Sequence, residues 1–142
     1  MDLNTLRHSC SHVLAEAVKK LWPEAKLAIG PSIEDGFYYD FDKKEPFSDE
    51  DLLKIEQEMQ KIIAKDELFV QEHIEKNKAI EIFKKLREDY KIELIQGLAD
   101  DKVSIYKTGS GFMDLCRGPH IKSTGQIKAF KLLSVDGAYW HG

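Results

Sequence analysis

The sequence predicts an α+β domain, and three observations lead there. A long amphipathic helical pattern opens the chain. Short runs rich in β-branched and aromatic residues alternate with two further helical patterns after it. No internal repeat, low-complexity tract or long Gly/Ser/Pro linker divides the 142 residues, which suffice for one core that buries roughly two-thirds of the unfolded surface. The strands are expected to form an antiparallel or mixed sheet packed against the helices.

Each element follows from its local signals. The first helix is expected from about Thr5 to Leu21, with Asn4 as its cap and "WPEAK" ending it at Pro23. "KLAIG" and "GFYYDFD" read as strands separated by the turn "PSIEDG". Ser48 starts a second helix through the capping-box-like "SDED", after which Leu52, Ile55, Met59 and Ile62 keep helical spacing. "LFVQEHI" reads as a strand, and a third helix over about 76–86 is expected to bury Ile80, Phe83 and Leu86. "KIELI", "KVSIYK", "FMDLC" and "AFKLLSV" complete the pattern as strands.

Composition limits the function. Hydrophobic content of 42% and charged content of 32% are those of a globular chain, not a disordered one. No apolar run nears the ~20 residues that cross a membrane, and no signal peptide opens the chain. Two cysteines, Cys10 and Cys116, cannot staple a disulfide scaffold, so a reducing, cytoplasmic setting is expected. The net charge of −4 disfavours non-specific coating of nucleic acid. Its distribution is uneven, however. Residues 45–58 are strongly acidic, whereas the stretch between Asp114 and Asp136 has no carboxylate and carries Arg117, Lys122, Lys128 and Lys131. Such a local basic surface suits a partner that presents a few phosphates.

Two motifs carry chemistry. "RHSCSH" sets His8 and His12 one helical turn apart on the polar side of the first helix, opposite Leu6, Cys10, Val13, Leu14, Ala17 and Leu21. "DLCRGPH" ends a strand in a Gly-Pro turn, and alternation places Phe112, Asp114 and Cys116 on one face with Met113 and Leu115 on the other. A carboxylate, a thiol and an aromatic ring sharing a face build a pocket floor more naturally than a core. If His8, His12, Cys116 and His120 converge, they can act as three imidazoles and a thiolate around zinc, or without metal as a pocket that holds and activates water. Ser9 stands where H-E-x-x-H has its glutamate, which disfavours a metalloprotease of that type. In "GFYYDFD", Phe37, Tyr39 and Phe41 share one face, and Tyr39 brings a hydroxyl to it. Lys91 in "DYKIELI" is inert unless a pocket draws it in.

Taken together, "RHSCSHVLAEAVKKLWPEAKLAIGPSIEDGFYYDFD", "DLCRGPH" and the closing "GAYWHG" resemble the second additional domain of bacterial-type threonyl-tRNA synthetases, over about residues 5–142. The alanyl-tRNA editing proteins share the motif pair more distantly. The resemblance implies a single editing domain, residues 1–142, whose antiparallel or mixed sheet wraps around a long helix. It implies a piece of a longer synthetase, with the small N-terminal domain and the catalytic core absent. The implied activity is hydrolysis of serine wrongly esterified to threonine tRNA, sparing threonine. Site roles fall by motif to His8, His12, Cys116 and His120, supported by Lys91, Asp114 and Tyr39. Lys91 and His8 are assigned to water activation and leaving-group protonation, and Asp114 to the substrate amino group. His12, Cys116 and His120 shape the pocket, while Tyr39 and Arg117 contact the tRNA end. No cofactor is required, with zinc on His8, His12, Cys116 and His120 as the alternative because alanyl-tRNA editing relatives use it. The implied partners are the serine-bearing acceptor end of threonine tRNA and the remaining synthetase domains. A structural zinc module and a non-catalytic tRNA-docking domain are the competing readings.

Overall fold

The structure, a computed structural model, describes residues 2–109 and 111–135. Helix α1 (Leu3–Leu21) is its centre. It starts two residues earlier than expected, because Asp2 rather than Asn4 is the cap: the Asp2 carboxylate accepts from the backbone N–H of Asn4 at 3.2 Å. Every residue from Ser9 to Val18 is buried, on all sides of the helix. The polar side of the helix is therefore covered as well, and His12 and Glu16 lie inside.

After α1 the chain makes two short ladders. Strand β1 (Lys26–Leu27) pairs antiparallel with β4 (Phe41–Asp42), and between them β2 (Ser32–Ile33) and β3 (Gly36–Phe37) form a small hairpin. The expected strands are present but short, and the expected turn holds a hairpin of its own. Phe37, Tyr39 and Phe41 pack on the core beside α1, as alternation required, while Tyr38 is exposed.

Helix α2 (Asp49–Lys65) carries the full capping box, with Ser48 and Asp51 each accepting from the other's backbone N–H. It lays Ile55, Met59 and Ile62 against Val13, Leu14 and Ala17 of α1. A three-stranded antiparallel sheet follows, built from β5 (Phe69–Glu75), β6 (Lys102–Thr108) and β7 (Phe112–Leu115), with β6 in the middle. Between β5 and β6 run α3 (Lys76–Lys85) and α4 (Asp89–Gln96). Register fixes which side chains share a face: Phe69 pairs with Thr108, and Tyr106 with Asp114. That face meets α1, where the His12 ring contacts Phe69 and Phe112 at centroid distances of 5.9 and 5.2 Å. The other face, with Ile74, Val103, Ile105, Met113 and Leu115, closes a second core with Ala79 and Phe83 of α3 and Ile95 of α4.

The α+β class stands, with four α-helices and antiparallel pairing throughout the described residues. Besides the cap of α1, three local expectations do not. "KIELI" lies in α4 rather than in a strand: Lys91 and Ile95, one turn apart, are both buried, and helical spacing gives them that common side. Leu86, expected in the core, caps the end of α3 and is exposed. "AFKLLSV" makes no ladder; Leu132 packs beside α1 and α2, whereas Leu133 points to solvent. The closing "GAYWHG" lies outside the described residues.

Glu16 is an electrostatic cost inside the first core. It is 3% exposed, and Lys20 lies 3.7 Å from one of its oxygens while the other has no hydrogen-bond partner. Burial, and then the neighbouring charge of Glu67, raise its carboxyl from 4.5 to about 8. Because the folded pKa exceeds the unfolded one, the associated stability is complete below pH ~4.5 and is lost as pH rises through about 8. E16Q should therefore be more stable than the parent at pH 8.5 by more than ~1 kcal/mol, with the gap closing towards pH 5, in urea denaturation at both pH values. An equal gap at both would contradict the assignment.

Candidate active site

The two four-residue-spaced pairs meet across the interface between α1 and the strand-turn that follows β7. Cys116 Sγ lies 3.4 Å from His8 Nε2 and 3.2 Å from His120 Nε2, and His12 Nδ1 lies 3.0 Å from His120 Nε2. The His120 ring is held on several sides. It stacks on Phe69 at a centroid distance of 4.8 Å and on His8 at 4.5 Å, and meets Tyr106 edge-on at 4.5 Å. The turn itself needs Gly118. Its φ of +76° is left-handed, and a β-carbon there would run into the Tyr106 ring. With glycine in place, the Gly118 N–H donates to Cys116 Sγ at 3.2 Å.

Beside this cluster lies a second, ionic one. Asp114, 4% exposed on β7, receives Lys91 Nζ at 2.8 Å, the Tyr39 hydroxyl at 2.7 Å and His12 Nε2 at 3.6 Å. Lys91 reaches it from α4, itself only 3% exposed. The two clusters line one open cavity of about 340 Å³, together with Gly30, Pro31, Leu94 and Arg117. Gly30 is required for this wall, since a β-carbon would collide with the Tyr39 ring. The Ser11 hydroxyl lies within hydrogen-bond distance of the carbonyls of Gly30 (2.6 Å) and His8 (2.7 Å), tying the wall to α1.

Burial dominates the electrostatics. It pushes His12 down to about 4 against the attraction of Asp114, pushes His120 further down, and lowers His8, where a hydrogen bond to the Pro119 carbonyl and the Asp114 charge resist it. All three imidazoles are therefore neutral near pH 7. Burial also raises the Cys116 thiol to about 11, so it is protonated and a poor nucleophile. For Asp114 burial works in the raising direction, but the Lys91 charge, the electrostatic interaction with His12 and the hydrogen bonds from Lys91 and Tyr39 outweigh it and hold the carboxyl below its ordinary value.

His8 Nε2, Cys116 Sγ and His120 Nε2 lie within 4.8 Å of one another and form a possible metal-binding group. His12 does not join it. Moreover, the 3.0 Å contact between His12 Nδ1 and His120 Nε2 requires a hydrogen on one of those two nitrogens. In either case that contact competes for the His120 Nε2 lone pair that a zinc ion would take, and no chemical step here is routed through a metal.

Residues 103–138 match the family model described as the threonyl and alanyl tRNA synthetase second additional domain. The chain is 57% identical over 140 residues to a threonine–tRNA ligase of Desulfovibrio desulfuricans, covering 99% of this chain and 22% of that protein. It is 57% identical over 137 residues to the one from Acetivibrio thermocellus, covering 96% of this chain and 21% of that protein. Residues 103–138 of this chain therefore carry the pattern of the second additional domain. A third threonine–tRNA ligase, from Bdellovibrio bacteriovorus, is 52% identical over 144 residues, with 99% of this chain and 22% of that protein covered. The chain thus spans about a fifth of the length of these relatives.

In this chain His8, His12, Lys91, Asp114, Cys116 and Tyr39 line one cavity, His120 packs against His8, His12 and Cys116 beside it, and Arg117 stands exposed at its rim. The Tyr39 hydroxyl donates to Asp114 and so helps to orient that carboxylate. Lys131 pairs with Glu56 at 3.4 Å, which neutralises part of the expected basic surface. Ser11 and Gly30 went unnoticed in the sequence, and Ser9 was read there only as the residue that replaces the glutamate of H-E-x-x-H. The two serines sit inside a helix, where that residue type is unfavourable without a partner, and this was the available signal.

Removing one member of the buried ion pair should be costly. D114N leaves Lys91 charged and unpaired, and is expected to lose about 3–5 kcal/mol in urea denaturation at pH 7, with K91M/D114N recovering part of it. A D114N variant as stable as the parent would show that the pair is not formed.

Proposed function

We propose that this cavity hydrolyses the ester linking serine to the 3′ end of threonine tRNA and spares the threonyl ester. The observation that carries this reading is the pairing, in one open cavity of about 340 Å³, of a neutral, half-buried imidazole (His8) with a buried lysine–aspartate ion pair. An aminoacyl ester presents an ammonium, a carbonyl and a ribose hydroxyl, and these groups can use all three. The ionised Asp114 receives the ammonium. Lys91, held at the same carboxylate, supplies a cation towards the carbonyl oxygen as it becomes an oxyanion. His8 accepts a proton from the attacking water and returns it to the departing ribose oxygen. Water adds at the acyl carbon, the acyl C–O bond breaks, and free serine and an intact tRNA hydroxyl result.

Selectivity follows from size. Serine and threonine differ by one methyl, which a pocket accepting threonine discriminates by only ~1–3 kcal/mol, so a second site that excludes the larger side chain is needed. Here His12, Cys116 and His120 form a tightly packed wall suited to that exclusion. In this reading the chain is one domain of a longer ligase, whose other domains supply aminoacylation and most of the tRNA contacts. Arg117 is exposed beside the cavity, where a phosphate of the acceptor end would lie.

The test is ester loss from seryl- and threonyl-charged threonine tRNA, with and without a chelator. The seryl ester should disappear selectively and independently of chelation. H8A should slow it by ~100-fold or more while keeping the parental denaturation curve. Equal loss of both esters, chelator-sensitive loss, or no loss at high domain concentration would contradict the proposal.

A further inference from the structure

The histidine cluster has a direction, and Ser9 sets it. Ser9 lies between His8 and Cys10 on α1, is 0% exposed, and its hydroxyl is hydrogen-bonded with His120. Its hydroxyl oxygen accepts from the backbone N–H of Ile121 at 3.0 Å. Its own hydrogen has one hydrogen-bond acceptor in reach among the described residues, His120 Nδ1 at 2.9 Å. A buried hydroxyl whose oxygen is already engaged by a donor places its hydrogen on the remaining acceptor, since an unmade bond there is costly.

The consequence passes from ring to ring. With Nδ1 of His120 accepting, the single hydrogen of this neutral imidazole sits on Nε2. That atom faces His12 Nδ1 at 3.0 Å and Cys116 Sγ at 3.2 Å, and donates towards them. With its Nδ1 accepting, His12 must in turn carry its hydrogen on Nε2, the atom 3.6 Å from Asp114 Oδ2. The opposite arrangement fails at both ends. Ser9 would accept twice and have no acceptor for its hydrogen, and a bare lone pair of His12 Nε2 would face the Asp114 carboxylate. His12 Nε2 has no hydrogen-bond partner within normal distance, so the Asp114 charge is the feature that selects its N–H.

We propose that Ser9 is a positioning residue that fixes the proton on Nε2 of His120 and, through it, on Nε2 of His12, so that the buried imidazoles form a one-way chain ending at Asp114. Ser9 thereby determines which nitrogen of His120 presents a hydrogen to Cys116 and the cavity wall. It also turns an N–H of His12, not a lone pair, towards the carboxylate that would receive the substrate ammonium. As a role in catalysis this rests on the hydrolytic reading above; as a statement about the two rings it does not.

Long-range proton–nitrogen NMR on the ¹⁵N-labelled chain at pH 7 reads the tautomers directly, with the rings assigned by H12N and H120N. The parent should show both His12 and His120 as Nε2–H. S9A should move His120 towards the Nδ1–H form or a mixture, and S9T, which keeps the hydroxyl, should retain Nε2–H. Seryl ester hydrolysis should fall by ~10-fold or more in S9A and return in S9T. His120 found as Nδ1–H in the parent overturns the proposal whatever the variants do, and remains decisive if S9A fails to fold. An S9A spectrum with both rings unchanged overturns it as well. If the parent shows the Nε2–H pattern yet hydrolyses no ester, the hydrolytic reading fails and the tautomer assignment stands.

Discussion

The buried carboxylate of Asp114 is the constraint on which the rest of the arrangement depends. An ionised carboxylate at 4% exposure is tolerable only when several groups of opposite or donor character converge on it. Here they come from three distant parts of the chain: Lys91 from α4, Tyr39 from the segment between β3 and β4, and His12 from α1. Satisfying one charge therefore brings together the elements that enclose the cavity. The backbone prepares this by placing Asp114 opposite Tyr106 in the β6–β7 ladder, on the sheet face turned to α1.

A second constraint comes from the position of α1. A helix buried on every side cannot present its polar residues to water, so His8, His12 and Glu16, spaced at one-turn intervals, must find neutral forms or partners inside the protein. The imidazoles become neutral and hydrogen-bonded, and Glu16 takes up a proton more readily than an ordinary carboxylate. The least buried of them, His8, lines the cavity and keeps the greatest freedom to exchange protons with a bound water. Deeper in, the His12 ring is held against Phe69 and Phe112. Reactivity and rigidity are divided along a single helix by depth.

The parts of this arrangement that were legible in the sequence are those governed by short-range rules. The helical period of α1, the Ser48–Asp51 box and the alternation along "FMDLC" all depend on neighbours within a turn or a pleat, and each recurs in the structure. The equal spacing of the two motif pairs was also visible, but their meeting is a product of the fold. Tertiary context decided the rest. "KIELI" is short enough to satisfy either period, and the burial of Lys91 with Ile95 selects the helix. The burial of the polar side of α1 was not legible, because composition cannot distinguish a buried histidine with a partner from an exposed one. The role of Ser9 was hidden for the same reason, since its importance lies in Ile121 and His120, more than a hundred residues away. Lys91 resembled a surface lysine until Asp114 gave it a reason to be inside.

The most direct measurement of this central interaction is a titration of the Asp114 side-chain carboxyl by ¹³C NMR in the parent chain. With Lys91, His12 and Tyr39 converged on it, the carboxyl should remain ionised to a pH below the ~3.9 of an ordinary aspartate, leaving a permanent negative charge at the cavity floor at neutral pH. A carboxyl that instead titrates above the ordinary value would mean that burial outweighs its partners. The charge that organises the cavity, and that would receive a substrate ammonium, would then not be held there.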